Sequence, residues 1–225
     1  MVDGNIYAVL TGDIVGSMEL NDGRGYPISD IITAVEGLIY DSFKKTIWAE
    51  IDVFRGDSWQ MVVKDPIQSL RIALFIRMVL RSEKSIEALD TRISIGFGGI
   101  EFLPKDDISS GIGEAFRLSG YGLDQCKKDQ RMKLSFPEAN RSSLTEGLER
   151  ITQLIDFQIQ RWTSRQADAV AGALIGLTQK EIAARWVGEV VSQQAISQHL
   201  ASAGWIPISR TIQYFESILP EILFL

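Results

Sequence analysis

Apolar, β-prone runs alternate with stretches of helical spacing over about the first 135 residues, and beyond them the strand pattern stops. Residues 6–10 form a short buried-strand signal that ends at Thr11-Gly12-Asp13, a turn signal carrying an acid. Over 29–48, Ile31, Ile32, Val35, Leu38, Ile39 and Phe43 recur at helical spacing, with Ser29 or Asp30 available as the cap. Two β-prone runs, 51–54 and 59–63, flank a Gly56-Asp57 turn, which predicts a hairpin. Pro66 suits the first turn of a second helix reaching Glu87. Residues 92–102 alternate around Ile93, Ile95 and Phe97 as one strand, where Gly98-Gly99 either bends it or lets another backbone approach. A third helix over 113–127 and a short strand over 133–136 follow. The order β-α-β-β-α-β-α-β predicts an α+β fold with a ferredoxin-like mixed sheet and helices on one of its faces.

Residues 137–145 are polar and turn-rich and mark a boundary. Residues 1–140 then form the α/β domain, and 141–225 a linker helix plus an all-α domain. The linker helix is amphipathic through Leu148, Ile151, Leu154, Ile155 and Ile159. Short helices follow, with Ser164 and Thr178 as caps and Thr178 with Glu181 as a capping box. A further helix starts near Ser192 and stops at Gly204, and the last covers 211–219. The apolar tail residues Ile222, Leu223, Phe224 and Leu225 call for burial against the first domain or a second copy.

The chain has 225 residues, 45% hydrophobic and 23% charged, with a net charge of −6. That is a globular composition, and its sign argues against coating nucleic acid or acidic membrane by bulk charge. The single cysteine, Cys126, excludes an intrachain disulfide and reads as a small buried residue on a helix. The single histidine, His199, leaves little room for Ser-His-Asp or Cys-His catalysis. No apolar run approaches the roughly 18 residues of a membrane span, and the first ten residues do not read as a signal peptide, so a cytoplasmic protein is expected.

Candidate chemistry sits at Asp13 and Asp57. A central first strand beside the hairpin brings both carboxylates to one edge of the sheet. Two converging acids there suit Mg²⁺ or Mn²⁺, whose hard-oxygen shell triphosphate oxygens complete. The backbone of Ile14, Val15, Gly16 and Ser17 can offer N–H groups to phosphates, and Arg55 can touch a phosphate or simply neutralise Asp57. Both acids also read as ordinary turn or cap residues.

Leu10-Thr11-Gly12-Asp13-Ile14-Val15-Gly16-Ser17 resembles the first metal-binding motif of class III nucleotidyl cyclases, and Arg55-Gly56-Asp57 resembles their second. Residues 92–99, Arg-Ile-Ser-Ile-Gly-Phe-Gly-Gly, resemble the strand that follows. The same features are similar to the SatD family of small bacterial cytosolic proteins. The resemblance implies a cyclase-like fold, Asp13 and Asp57 as metal ligands, a nucleoside triphosphate with Mg²⁺ or Mn²⁺, and pairing of two copies. It also implies a lysine that reads the purine, where this chain has Val53, and an asparagine four residues before a helix arginine. Arg117 matches the arginine, but Gly113 stands for the asparagine. Losing such a transition-state donor costs on the order of 100-fold in rate, so the departures argue against fast cyclase catalysis.

Residues 177–183 followed by 191–200 resemble the helix-turn-helix of bacterial transcription regulators and of sigma-factor region 4, with a longer connection than the tight form. That resemblance implies double-stranded DNA as partner. Thr178, Gln179 and Lys180 lie on the first helix, and Ser192, Gln193, Gln194, Ser197 and Gln198 face the groove from the second. Ala183 is the small residue expected to let the helices approach. The second helix holds no Lys or Arg, so a homodimer would be needed to gather enough phosphate contacts. A DNA-binding regulator with a cyclase-like dimerising or sensing domain is the first expectation. A metal-dependent nucleotide enzyme and a protein-interaction adaptor are the alternatives.

Overall fold

A computed structural model describes residues 5–17, 28–49, 51–54, 56–83, 89–104, 107–127 and 129–224, apart from the side chains of 28–31 and 34. Strand β1 (Tyr7–Ile14) is buried along nearly its whole length, as its unbroken apolar run requires of a strand covered on both faces. It lies between β3 (Ser58–Val63) and β4 (Thr91–Gly98), antiparallel to both. Strand β2 (Asp52–Phe54) pairs outside β3, and β7 (Met132–Ser135) pairs parallel to β4 at the other edge. The five-stranded order β2-β3-β1-β4-β7 is the split β-α-β arrangement with one strand added. The mixed α+β sheet is thus as the sequence pattern predicts.

Helices α1 (Ile28–Phe43) and α2 (Ser69–Ser82) pack on the face built from Ala8, Leu10, Met61, Val63, Ile93, Ile95 and Phe97. Helix α3 (Glu114–Asp124) lies on the opposite face, where Ala115 and Phe116 meet Tyr7, Val9 and Val62. The expectation of helices on one face is therefore corrected. A central strand with two apolar faces needs two covers, and Gly96 allows the second to come very close. A Cβ at Gly96 would stand 2.3 Å from the Ser119 amide nitrogen, so strand and helix touch backbone to backbone.

The expected strand over 92–102 is two strands. Gly98 takes φ +153°, and the chain leaves the main sheet so that β5 (Ile100–Phe102) pairs with β6 (Ile112–Gly113) in a separate ribbon. The second helix opens with a 3₁₀ turn at Pro66–Gln68 before α2 begins.

The rest is helical: α4 (Ser143–Ile159), α5 (Ser164–Leu174), α6 (Gln179–Ala184), α7 (Gln193–Ala203) and α8 (Trp205–Leu223). Thr163, not Ser164, caps α5, forming a capping box with Gln166. The last helix is longer than 211–219 because Pro207 sits in its first turn, where a missing N–H costs nothing. The apolar core is continuous from the α1–α2 face of the sheet through α4 to α8, and Ile222 and Leu223 are buried in it. Arg71 fixes that packing: its fork holds Glu216 of α8 at 2.7 and 2.9 Å, and its third nitrogen donates to the Leu174 carbonyl at the end of α5.

A buried charge cluster joins α2, α4 and the starts of β4 and β7. The fully buried Arg77 donates to Asp90 at 2.8 and 3.1 Å and to Asp156 at 2.6 Å. Arg81 and Arg131 complete the shell of Asp90, while the amides of Arg131 and Met132 and the Gln160 side chain complete that of Asp156. The Asp90 carbonyl in turn accepts the Val15 N–H at 2.9 Å, so the cluster also fixes the backbone just beyond β1.

Candidate functional site

The period of two along β1 sends Ala8, Leu10 and Gly12 to one face and Tyr7, Val9, Thr11 and Asp13 to the other. On that second face polarity rises along the strand. Past the apolar contacts with Phe116 comes a relay in which Gln60 Nε2 donates to Thr11 Oγ1 (2.8 Å) and Thr11 bonds Ser119 Oγ (2.7 Å). Asp13 comes next, with Ser58 of β3 on one side and Arg92 of β4 on the other. Gly12 is what lets this end form. A Cβ there would stand 2.4 Å from the Trp59 ring and 2.6 Å from the Arg92 carbonyl oxygen. The Trp59 Nε1–H donates to Thr91 Oγ1 at 3.1 Å, and the Thr91 hydroxyl donates to the Asp13 carbonyl at 2.7 Å.

The Asp13 carboxylate is held by the fork of Arg92. Nε donates to one oxygen at 2.8 Å and Nη2 donates to the other. Asp13 is 16% and Arg92 39% exposed at the side chain, so the pair sits at the rim. Asp57 stands in the β2–β3 turn, where Gly56 takes φ +86°, and accepts the Ser17 hydroxyl at 2.5 Å and that of Ser58 at 3.4 Å. Ser17 follows a turn in which Gly16 takes φ +76°. The structure thus brings Asp13, Asp57, Gly16 and Ser17 to one end of the sheet. The amides of Ile14 and Val15 donate to the carbonyls of Asp57 and Asp90 at 3.1 and 2.9 Å. Neither of those two N–H groups points outward to a phosphate, which corrects their expected role.

Arg55 lies outside the described residues. Arg117 is not brought to Asp13: it sits on α3 one turn after Glu114, which lies against Gly98 at the far end of β4, and it is 61% exposed with a long 3.8 Å contact to Glu114. Val53, at the purine-reading position of the resemblance, is 38% exposed on β2, and Gly113 ends β6. Cys126 is buried just beyond α3 rather than on it, and burial pushes its thiol up to about 11, which leaves it inert. Arg92 is the residue that sequence reasoning missed as a site member. Its signal is the antiparallel register that places it opposite Asp13, which appears only once the strands are paired.

Hard carboxylate oxygens at Asp13 and Asp57 fit Mg²⁺ or Mn²⁺ by donor type. Among the described residues no group of three or more His, Cys, Asp or Glu side chains gathers. An ion would therefore draw its remaining ligands from main-chain carbonyl, water or phosphate oxygens.

The second set of candidates lies on α6 and α7. Thr178 caps α6 in a box with Glu181, and Ser192 caps α7 through the Ala195 amide. Thr178, Lys180, Ser192, Gln193, Gln194, Ser197 and Gln198 are exposed and Gln179 is half-buried, while Ile182, Ile196 and Leu200 are buried. Ala183 packs against the core, and Gly172 lets α5 approach α6: a Cβ at Gly172 would stand 2.7 Å from Ile182. Trp186 fills the long connection and stacks on His199 at 5.8 Å. Arg165 pairs with Glu189 at 3.0 Å and Arg185 with Asp168 at 3.1 Å, so both cations are partly spent.

No family model matches the chain, and no curated protein matches it. Among solved structures it is similar to the GGEEF domain of a diguanylate cyclase from Vibrio cholerae, at 13% identity over 59% of this chain and 83% of that chain, with a TM-score of 0.43. It is similar to the guanylyl cyclase Cya2, at 16% identity over 64% of this chain and 78% of that chain, with a TM-score of 0.44. It is also similar to the dimeric guanylyl cyclase domain of the RhoGC fusion protein from the aquatic fungus Blastocladiella emersonii, at 16% identity over 55% and 75% of the two chains, with a TM-score of 0.43. No helix among the described residues is long and apolar enough to cross a membrane.

Proposed function

We propose that the Asp13–Asp57 end of the sheet binds a nucleoside triphosphate together with Mg²⁺ or Mn²⁺, and that residues 1–140 form the unit that carries this site. The observation that supports it most is that Asp13, Asp57 and the Gly16–Ser17 turn lie at one end of the sheet, with Ser17 bonded to Asp57. Asp13 and Asp57 would hold the cation, which neutralises triphosphate charge and polarises a phosphoryl oxygen when bound. The Gly16 and Ser17 backbone would face the phosphates, and Ser17 would hold Asp57 in place. Arg117 stands far from this end within one chain, and Val53 offers no polar reader for a purine. Binding with slow or no phosphoryl transfer is therefore the expected behaviour. Equilibrium dialysis with Mn²⁺ and ATP or GTP tests this reading. Asp13→Ala and Asp57→Ala should each weaken nucleotide retention by about tenfold or more, the scale of losing a charge-assisted contact. Equal retention by both variants and the unaltered chain would remove this site.

A second reading is DNA binding by residues 141–225, as a helix-turn-helix working in a homodimer. It is favoured by the exposed, neutral, hydrogen-bonding face of α7. Gln193 and Gln194 can each bond an adenine edge, and a good bidentate pair carries about 1–3 kcal/mol of discrimination. Gln193→Ala with Gln194→Ala should abolish preference for a specific duplex over random DNA in fluorescence anisotropy while leaving the melting temperature unchanged. An unchanged preference would sink this assignment. Together the two readings describe a regulator whose first unit senses a nucleotide.

A further inference from the structure

We propose that Arg92 and Asp13 form a reciprocal latch, in which each restrains the ligand that the other would take. This rests on the metal–nucleotide reading of the same site. The fork of Arg92 engages both oxygens of Asp13, so a divalent ion must compete with the guanidinium for that carboxylate. The same fork is the group best matched to two phosphate oxygens, and while it is spent on Asp13 it is not offered to a phosphate. The two residues stand directly opposite in the antiparallel register, so the pairing is built into the sheet. Arg92 is also 39% exposed, so its head can swing outward on a flexible stem without disturbing the core. A cation together with a triphosphate satisfies both halves at once, with the cation on Asp13 and the phosphate oxygens on Arg92. Either ligand alone must break the pair and leave one charge without its partner. The site is thereby selective for the metal–triphosphate complex over free metal or free phosphate.

The latch predicts a crossed pattern in two simple titrations on the full chain. In the first, Mn²⁺ alone is followed by the loss of its free-ion paramagnetic resonance signal. Arg92→Ala should bind Mn²⁺ more tightly than the unaltered chain by about ten- to a hundredfold, the span of one charge-assisted bond. Arg92→Lys, which keeps a charge and drops the fork, should fall between them. In the second, inorganic pyrophosphate is titrated calorimetrically in chelator. Asp13→Ala should bind it more tightly than the unaltered chain, and Arg92→Ala more weakly. A merely structural ion pair would weaken both ligands in both variants, and matching melting curves separate that outcome from loss of fold. If Arg92→Ala binds Mn²⁺ no more tightly while Asp57→Ala binds it less, the metal site stands and the latch is overturned. If no chain holds Mn²⁺, with or without ATP, the metal–nucleotide reading fails and the latch falls with it.

Discussion

Arg77→Ala is expected to destabilise the fold by about 3–5 kcal/mol, the cost of leaving buried charge without its partner. Arg77 is fully buried and is shared by two carboxylates from different parts of the chain, Asp90 before β4 and Asp156 on α4. Without it Asp156 keeps, among the described residues, the Gln160 side chain and two backbone amides, and Asp90 keeps Arg81, Arg131 and the Thr91 amide. Acid acts on the same cluster. Burial works to raise the Asp90 carboxyl, but Arg77 foremost, with Arg81 and Arg131, outweighs it and holds the group at about 2 against an ordinary 3.8. A depressed folded value means that the stabilisation is fully present above pH 3.8 and is lost as pH falls toward 2. The amount at stake is about 2 kcal/mol. The gap between the unaltered chain and Arg77→Ala should therefore narrow as pH drops from 5 to 2. Urea unfolding followed by tryptophan fluorescence across that range reads both effects. A loss under about 1 kcal/mol at neutral pH would mean that the cluster does not cross-brace the fold.

Gly12→Ala should cost about 1–3 kcal/mol by overpacking and should also loosen the site. The position has no unusual φ; what it lacks is room. The new methyl would meet the buried Trp59 ring on one side and the Arg92 backbone on the other, and neither is a flexible end that can move aside. Displacing Trp59 breaks the Trp59–Thr91–Asp13 chain of hydrogen bonds, so the variant should lose nucleotide retention along with stability. Gly147→Ala on α4 is the control. Nothing lies within 4 Å of its Cβ, so the change should be neutral or stabilising by up to about 1 kcal/mol, as alanine outranks glycine in a helix interior. Calorimetric melting of the two variants checks both signs.

The sheet was legible in the sequence because its strands carry the buried-run and alternation signals, and because the hairpin turn is marked by Gly56-Asp57. Asp13 and Asp57 were legible as a pair because the split β-α-β order forces the ends of β1 and of the hairpin together. The face on which α3 lies was not, because both faces of β1 are apolar and periodicity alone does not assign a cover to either. Gly98-Gly99 marks a bend, but the departure of β5 into a separate ribbon was not legible, since residues 92–102 keep a strand pattern on both sides of the glycines. The spent amides of Ile14 and Val15 depend on the carbonyls of Asp57 and Asp90, which only tertiary pairing brings near. Arg92 and the Arg77 cluster share that reason. Charged residues inside apolar helices and strands read as surface until the register shows which acid each one meets.

The most direct test of the site is anomalous diffraction from crystals soaked with Mn²⁺ and a non-hydrolysable GTP analogue. A manganese peak is expected between the carboxylates of Asp13 and Asp57, with phosphate density over Gly16 and Ser17 and the Arg92 head turned onto phosphate oxygens. Manganese and nucleotide density elsewhere, or none, with the Asp13–Arg92 fork intact, would contradict this site.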